Sequence, residues 1–568
     1  MLHSPQQDPG ARRGAFSVTA ARRFNPEAER PAPRHRSRLA PAALRPGLTP
    51  ALAAALAAAL LAATAFVGAA TAAIAAPPAS PEIAPDSRNI AAVAAPTTAG
   101  ADIGARLAAP ADIVARVDSG DFKGAEAAIA AALEETTPHS DQRLALEFQR
   151  ERMRRILMDF QLDESGAKAR LRRDIPDMSD ADFARWDAEG LIEARVIDGE
   201  RRWFNRGPSN LFRLSEEARQ RKATPLRFYD SPLELEVLPH HVEVRDAALA
   251  SGEHAVAPRR VRVPQSLTVK PDAVPAGETI RAWLPFPRAI AGQQEEIALQ
   301  ATVPETHQLA PESALQRTVH LEAPAVAGEP TRFSVSYELT VYAQYVDIDP
   351  DTVVPVEPTP ALAPFLAERA PHVQFSDAMR LHSARVVGDE TNPYRIAQKL
   401  FASVDSIPWA GAREYSTITN IGQHALEQGH ADCGQQTLLL ITLLRMNGIP
   451  ARWQSGWIFS DDSYNNMHDW GWMYLAPYGW LPMDVTFGRL PHADDGLAGF
   501  YLGGLDAYRS AFNDDWSREF VPAKRHPRSE TVDLQRGEAE WDGGNLYFDQ
   551  WNYDFEWQLL PPVMDENA

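Results

Sequence analysis

Between Asp432 and Pro450 the chain specifies a buried helix with a cysteine at its mouth. The run Thr437-Leu438-Leu439-Leu440-Ile441-Thr442-Leu443-Leu444-Arg445-Met446 is apolar, and Asn447-Gly448-Ile449-Pro450 stops it, with Gly at C′ and Pro beyond. Asp432 is a residue type that caps helix N-termini, which puts Cys433 on the first turn. Unpaired backbone N–H groups and the helix dipole favour negative charge there, so the thiol pKa is expected to be pulled down toward the thiolate. Cys433 is the only cysteine of 568 residues. The plain alternative is a small core residue beside an apolar helix.

The beginning of the chain reads as an export signal. Residues 1–75 pair an arginine-rich leader with a long apolar run from about Leu48 to Ala76, ending at Ala73-Ile74-Ala75-Ala76-Pro77-Pro78 with a small-x-small cleavage pattern. The competing reading is an uncleaved single-span anchor, since the run is long enough to cross a bilayer. The segment has no cysteine for lipid attachment. An exported chain with one cysteine has no internal disulfide, so the thiol is an accident, an intermolecular link or a reactive group. The net charge is −20, and it is more negative still without the basic leader. Such a chain is a poor nucleic-acid binder, because phosphate contacts need cationic surface.

Several domains are expected at this length. Residues 76–105, rich in Ala, Pro and Thr, read as a flexible linker. Residues 106–225 have helical periodicity around Ala125–Leu133 and Leu144–Phe160, a capping-box pattern at Ser179–Asp182, and an Asp198-Gly199 hairpin signal between apolar runs. Helices followed by one hairpin suggest a winged-helix-like module, taken here as a packing or substrate-binding arm. Residues 226–375 alternate with period two. Candidate strands are 233–237, 261–269, 279–284, 297–303, 318–321 and 333–341, and a β-sandwich is the economical reading. Residues 376–500 are read as helices followed by β-structure, and 501–568 as an aromatic β extension. Ten of the 13 tryptophans lie from Trp409 onward; those at 453, 457, 470, 472 and 480 are read first as core and second as cleft lining.

Downstream of Cys433, Met467-His468-Asp469-Trp470-Gly471-Trp472 and Trp480-Leu481-Pro482-Met483-Asp484-Val485 read as two strands of a hairpin. A thiol needs a base, and a histidine base needs a carboxylate to fix its tautomer. Cys433, His468 and Asp484 supply these groups in order. His468 and Asp484 have equal parity and face each other if the turn is centred on Ala476. Centred between Pro477 and Tyr478, it puts Asp484 opposite Gly471 and on the wrong face. Asp469 points to the opposite strand face from His468. No cluster has the spacing of a zinc or calcium site, and no cofactor is expected.

These motifs resemble the transglutaminase-like superfamily: Asp-Cys-Gly opening an apolar helix that ends Asn-Gly-Ile-Pro-Ala-Arg, then the His-Asp-Trp and Gly-Trp-Leu-Pro-Met-Asp strands. The resemblance covers roughly residues 376–500. It implies a papain-like α+β fold, with Cys433 as nucleophile, His468 as general base and acid, and Asp484 as its orienting partner. The resemblance does not settle the reaction; the expected mechanism is acyl transfer from a peptide amide through a thioester, and hydrolysis is favoured over cross-linking because nothing in the sequence marks a dedicated amine site. The Cys433 backbone N–H is the expected first oxyanion donor and Gln428 a candidate second. The implied partner is a peptide or protein, cell-wall peptide included. The alternative is a scaffold or binding protein that keeps the fold with little turnover.

Overall fold

The computed structural model describes residues 102–561, except 139, 228–229, 234 and 461–464. The expected signal segment, residues 1–75, and nearly all of the linker lie outside the described residues.

The chain opens with helices α1 (Ile103–Arg106), α2 (Ala111–Ser119), α3 (Phe122–Glu134), α4 (Asp141–Asp159), α5 (Glu164–Asp174) and α6 (Asp180–Ala188). Local chemistry sets their starts. Asp121, Ser140 and Asp163 each accept a hydrogen bond from a first-turn N–H, and Ser179 with Asp182 forms a reciprocal capping box. Strands β1 (Ala194–Ile197) and β2 (Glu200–Trp203) pair through Asp198-Gly199, whose φ values of 49° and 87° are those of a twisted two-residue turn. Helices α7 (Gly207–Leu214) and α8 (Glu216–Arg221) follow. Helix α4 braces two distant loops. Its buried Arg152 donates to the carbonyl oxygen of Thr417 at 3.0 Å, and Arg155 donates to the carbonyls of Arg528 and Ser529. Asp159 accepts from Glu414 N at 3.2 Å. These bonds pin the short turn Tyr415–Thr417 and the 528–529 loop.

The described residues of the alternating run 233–237 lie in no strand, and a helix, α9 (Pro239–Ser251), follows instead. Pro239 sits at its first turn and Gly252, at φ 73°, ends it. Pro232 and Pro239 bracket a run too short to find a partner strand, and Pro pre-sets the helical φ. The other five candidates form within β3 (Ala255–Val269), β4 (Thr279–Pro285), β5 (Gln294–Val303), β7 (Thr318–Pro324) and β8 (Thr331–Tyr345), with β6 (His307–Leu309) added.

Helices α10 (Asp377–Val387), α11 (Pro393–Asp405), α12 (Ile421–Gln428) and α13 (Cys433–Met446) surround a four-stranded antiparallel sheet. Its strands are β9 (Ala451–Phe459), β10 (Asn465–Leu475), β11 (Gly479–Met483) and, beyond α14 (Asp495–Ala498) and β12 (Gly504–Leu505), β13 (Arg509–Asn513), in the order β11-β10-β9-β13. Every residue of α13 from Gly434 to Arg445 is buried. A helix apolar on all sides must be enclosed, and its leucines pack with Trp453, Met473, Leu475, Leu481 and Met483 of the sheet.

The aromatic tail returns to the earlier sheets. Strands β14 (Glu538–Trp541) and β15 (Gly544–Leu546) join β4, β7 and β6, while β16 (Trp551–Phe555) and β17 (Gln558–Leu560) pair with β3 beside β8, β5 and β12. The two sheets share one apolar core that includes Val261, Leu267, Leu284, Phe333, Tyr337 and Trp551.

Gly456 lies where β9 passes between β10 and β13, paired with His468 on one side and Ala511 on the other. A Cβ there would lie 1.9 Å from Ser510 O. Gly456→Ala is therefore expected to cost at least ~2 kcal/mol, because backbone rather than a flexible side chain must move. Thermal unfolding checks this; an unchanged Tm would contradict it.

Candidate active site

Asp432 caps α13 as its residue type suggests. Its Oδ1 accepts from Gln435 N at 3.2 Å, and Gln435 Oε1 accepts from Asp432 N at 3.1 Å. Cys433 is partly exposed on the first turn. Its Sγ donates to Asp469 Oδ2 at 3.3 Å. Burial, reinforced by the Asp469 and Asp432 carboxyls, pushes the thiol well above its ordinary value. This reverses the lowering expected from the helix dipole. The dipole offers a fraction of a charge at the helix end, whereas carboxyl groups within a few ångströms act with up to a full one.

Asp469 is the centre of a buried acidic cluster. Its Oδ1 accepts from Gln535 Nε2 at 2.9 Å. Tyr415 Oη donates to Asp432 Oδ1 at 2.7 Å and lies 3.4 Å from Asp469 Oδ2. Asp469 and Asp533 are hydrogen-bonded to each other. Two carboxyls in such contact must share a proton. Burial, then Asp533 and Asp432, drives Asp469 well above the carboxylate range. Burial likewise lifts Asp432 and Asp533 to about 6 and Glu530 to about 7. Arg536 offsets part of this charge through Glu414 at 2.7 Å and Glu530 at 2.5 Å.

His468 and Asp484 meet on the other face of β10. In the hairpin, Leu475 pairs with Gly479 and Gly471 with Met483, so the turn is centred on Pro477, between the two centres that the sequence allows. Continued one step, that register sets Asp484 opposite Trp470 and diagonal to His468 on the same face. Diagonal neighbours remain within reach of long side chains. The bond from His468 Nε2 to Asp484 Oδ2 is 2.7 Å, and both residues are buried. The same oxygen accepts from Arg509 Nη1 at 2.7 Å, and Asp484 Oδ1 accepts from Thr486 N at 3.2 Å. Burial alone would raise Asp484; His468 and Arg509 outweigh it and hold its carboxyl below the usual range. Arg509 is itself held by Asp506 through both Nε and Nη2.

The hydrogen bonds thus make two pairs, His468 with Asp484 and Cys433 with Asp469. None joins Cys433 to His468 among the described residues. Gln428 is exposed at the end of α12, and its side chain makes no hydrogen bond among the described residues, as a solvated helix-end glutamine would. Trp453, Trp457, Trp470 and Trp472 are core, while Trp480 is half-buried. The indoles of Trp470 and Trp472 both donate to Gln454 Oε1. Among the described residues no group of three or more His, Cys, Asp or Glu could hold a metal ion. Sequence reasoning missed Tyr415, Arg509, Asp533 and Gln535, none of which lies in a motif. Asp469 does lie in one, and its parity already pointed it away from His468.

Residues 382–485 match the model of the transglutaminase-like superfamily, and this segment of the chain is a transglutaminase-like core. That superfamily is broadly one of cysteine protease- and acyltransferase-like proteins. Among solved structures the chain is similar to a candidate cysteine protease of Cytophaga hutchinsonii, at 17% identity and TM-score 0.37, over 55% of this chain and 93% of that one. It is also similar to the periplasmic domain of TgpA from Pseudomonas aeruginosa, at 15% identity and TM-score 0.22, over 47% and 95%. No curated protein matches the chain.

Proposed function

We propose that this protein is an exported thiol enzyme that cleaves or transfers the acyl group of peptide amide bonds, with Cys433 as nucleophile, His468 as base and acid, and Asp484 as the partner orienting His468. The observation that carries this reading is the buried 2.7 Å bond between His468 Nε2 and Asp484. It fixes the ring through one nitrogen and leaves Nδ1 without a hydrogen bond among the described residues. Because the thiol is held neutral, its proton leaves as attack proceeds rather than beforehand. Cys433 Sγ adds to the amide carbonyl while His468 takes the thiol proton. The imidazolium then returns that proton to the departing amine, leaving a thioester on Sγ. The N–H groups of the α13 first turn, that of Cys433 first, are suited to the oxyanion. Water, activated by His468, releases the acid; an amine in its place would give transfer.

In the same reading the core is papain-like, the two sheets are a β-sandwich, and the hairpin-bearing helical segment is a winged-helix-like packing or substrate arm. Among the described residues no helix is long and apolar enough to cross a membrane. Export therefore rests on the leader pattern of residues 1–75. The substrates in view are peptides or proteins, cell-wall peptides included, with no nucleic acid and no cofactor. One observation favours a second reading, a scaffold or binding protein: Sγ bonds to a carboxyl group and not to the imidazole. Incubation of the purified protein with peptide amides and cell-wall peptide fragments decides between them. Enzyme action predicts new acid or transfer products that vanish with Cys433→Ala; equal product levels from the two proteins would leave the scaffold reading.

A further inference from the structure

Asp469 has no part in the proposed acyl-transfer steps, although it is the residue hydrogen-bonded to the nucleophilic sulfur. We propose that Asp469 is a positioning residue for Cys433: its carboxyl holds Sγ–H as a neutral thiol in the resting protein, and the reaction begins only when that bond breaks. This rests on the proposed thiol chemistry and deepens it.

The contact is built from several elements. Sγ of Cys433 lies 3.3 Å from Oδ2 on the first turn of α13, while β10 presents Asp469 on the face opposite His468. Gln535 Nε2 fixes Oδ1 at 2.9 Å, and the same amide donates to His468 O at 3.0 Å, so the carboxyl cannot swing freely. Tyr415, held in place by its turn against α4, closes the remaining side, with its hydroxyl on Asp432. Gly434 leaves room for this approach. A Cβ there would stand 2.2 Å from Tyr415 Oη and 2.7 Å from Asp469 Oδ2. Asp469 is only 2% exposed. The charged and titratable groups around it are Asp432 at the helix cap, Tyr415, and Asp533 in the loop before β14, with Glu530, Glu414 and Arg536 behind. A structural salt bridge does not account for the cluster, because no cation among the described residues pairs directly with Asp469. A proton shared with Asp533 does, and it leaves the pair one negative charge beside the sulfur.

The charge assignment gives a signed test. Asp469→Asn keeps the shape and leaves the pair's one negative charge on Asp533, which makes no hydrogen bond to Sγ among the described residues. Asp533→Asn leaves Asp469 as an unshared carboxylate next to Sγ. A merely structural role would loosen the site in both variants and move the thiol in the same direction. The measurement is the pH profile of Cys433 alkylation by iodoacetamide in the full chain, followed by peptide mass spectrometry. Asp469→Asn is expected to lower the midpoint by at least about one unit, so that alkylation at pH 7 runs roughly tenfold faster. Asp533→Asn is expected to raise it. A midpoint unmoved by Asp469→Asn, or lowered equally by both substitutions, overturns the proposal. If Asp469→Asn does not fold, the Asp533→Asn shift alone decides by its sign. Repeating the pair in a His468→Ala background separates this idea from the enzyme reading. The shifts should persist there, since they are local electrostatics, while acylation by peptide amides should not.

Discussion

His468→Ala is expected to slow acylation of Cys433 by a peptide amide by roughly 10³-fold or more, while leaving the protein folded. The size follows from the ring's double duty. In the proposed reaction it removes the thiol proton and protonates the leaving amine, and with Cys433 neutral at rest no preformed thiolate substitutes for it. The fold should tolerate the change because Asp484 keeps a charged partner, Arg509, at 2.7 Å. Single-turnover acylation with acid quench measures the rate, and thermal unfolding provides the control. A loss smaller than tenfold in a folded variant would remove His468 from the chemistry. The buried 2.7 Å contact would then be a structural hydrogen bond.

The largest effect on stability is expected at Arg509. Its guanidinium is buried between Asp484 and Asp506, bonding one through Nη1 and the other through Nε and Nη2. Arg509→Met removes the cation and leaves two buried carboxyls, which should cost about 3–5 kcal/mol at neutral pH. The pH dependence has a definite sign. Burial alone would raise Asp484 and Asp506, yet neighbouring cations, Arg509 among them, outweigh it and depress both folded pKa values below the ordinary carboxylate value. Each therefore adds stability above its unfolded pKa and loses it as pH falls through the folded pKa. The variant lacks most of that contribution. Its deficit should be greatest near pH 7 and shrink below about pH 4, as the unfolded-state carboxylates protonate. Guanidinium unfolding at several pH values checks both size and trend. A deficit that does not change with pH would point to lost packing against Trp470, Phe487 and Tyr501, whose rings surround the guanidinium.

Elements with strong local signals were legible in the sequence. The α13 segment carries its cap, its apolar run and its stop within nineteen consecutive residues, and it forms from Cys433 to Met446. Asp198-Gly199 likewise sets its own turn. The strand candidate 233–237 failed because alternation alone does not supply a partner strand between two prolines. The hairpin register is subtler. Equal parity put His468 and Asp484 on one face, but the turn centre at Pro477 makes the contact diagonal, a choice that Ala476-Pro477-Tyr478-Gly479 did not dictate. The thiol was misjudged for a physical reason. Its helix position and the adjacent Asp432 were visible, whereas its burial and the approach of Asp469 from β10 are made by the fold. Arg509 was equally hidden, since a lone arginine in Ala507-Tyr508-Arg509-Ser510 carries no periodic or motif signal. Contacts of that range are made by the fold, and one sequence does not display them.

The proposed chemistry depends on a covalent bond forming at one sulfur. Acid-quenched intact-mass and peptide mass spectrometry, after mixing the protein with a peptide amide substrate, looks for that bond directly. The predicted result is an acyl adduct on the peptide containing Cys433, which decays with product release and does not form in His468→Ala. Product formation without any adduct on Cys433, or an adduct that forms equally well without His468, would contradict it.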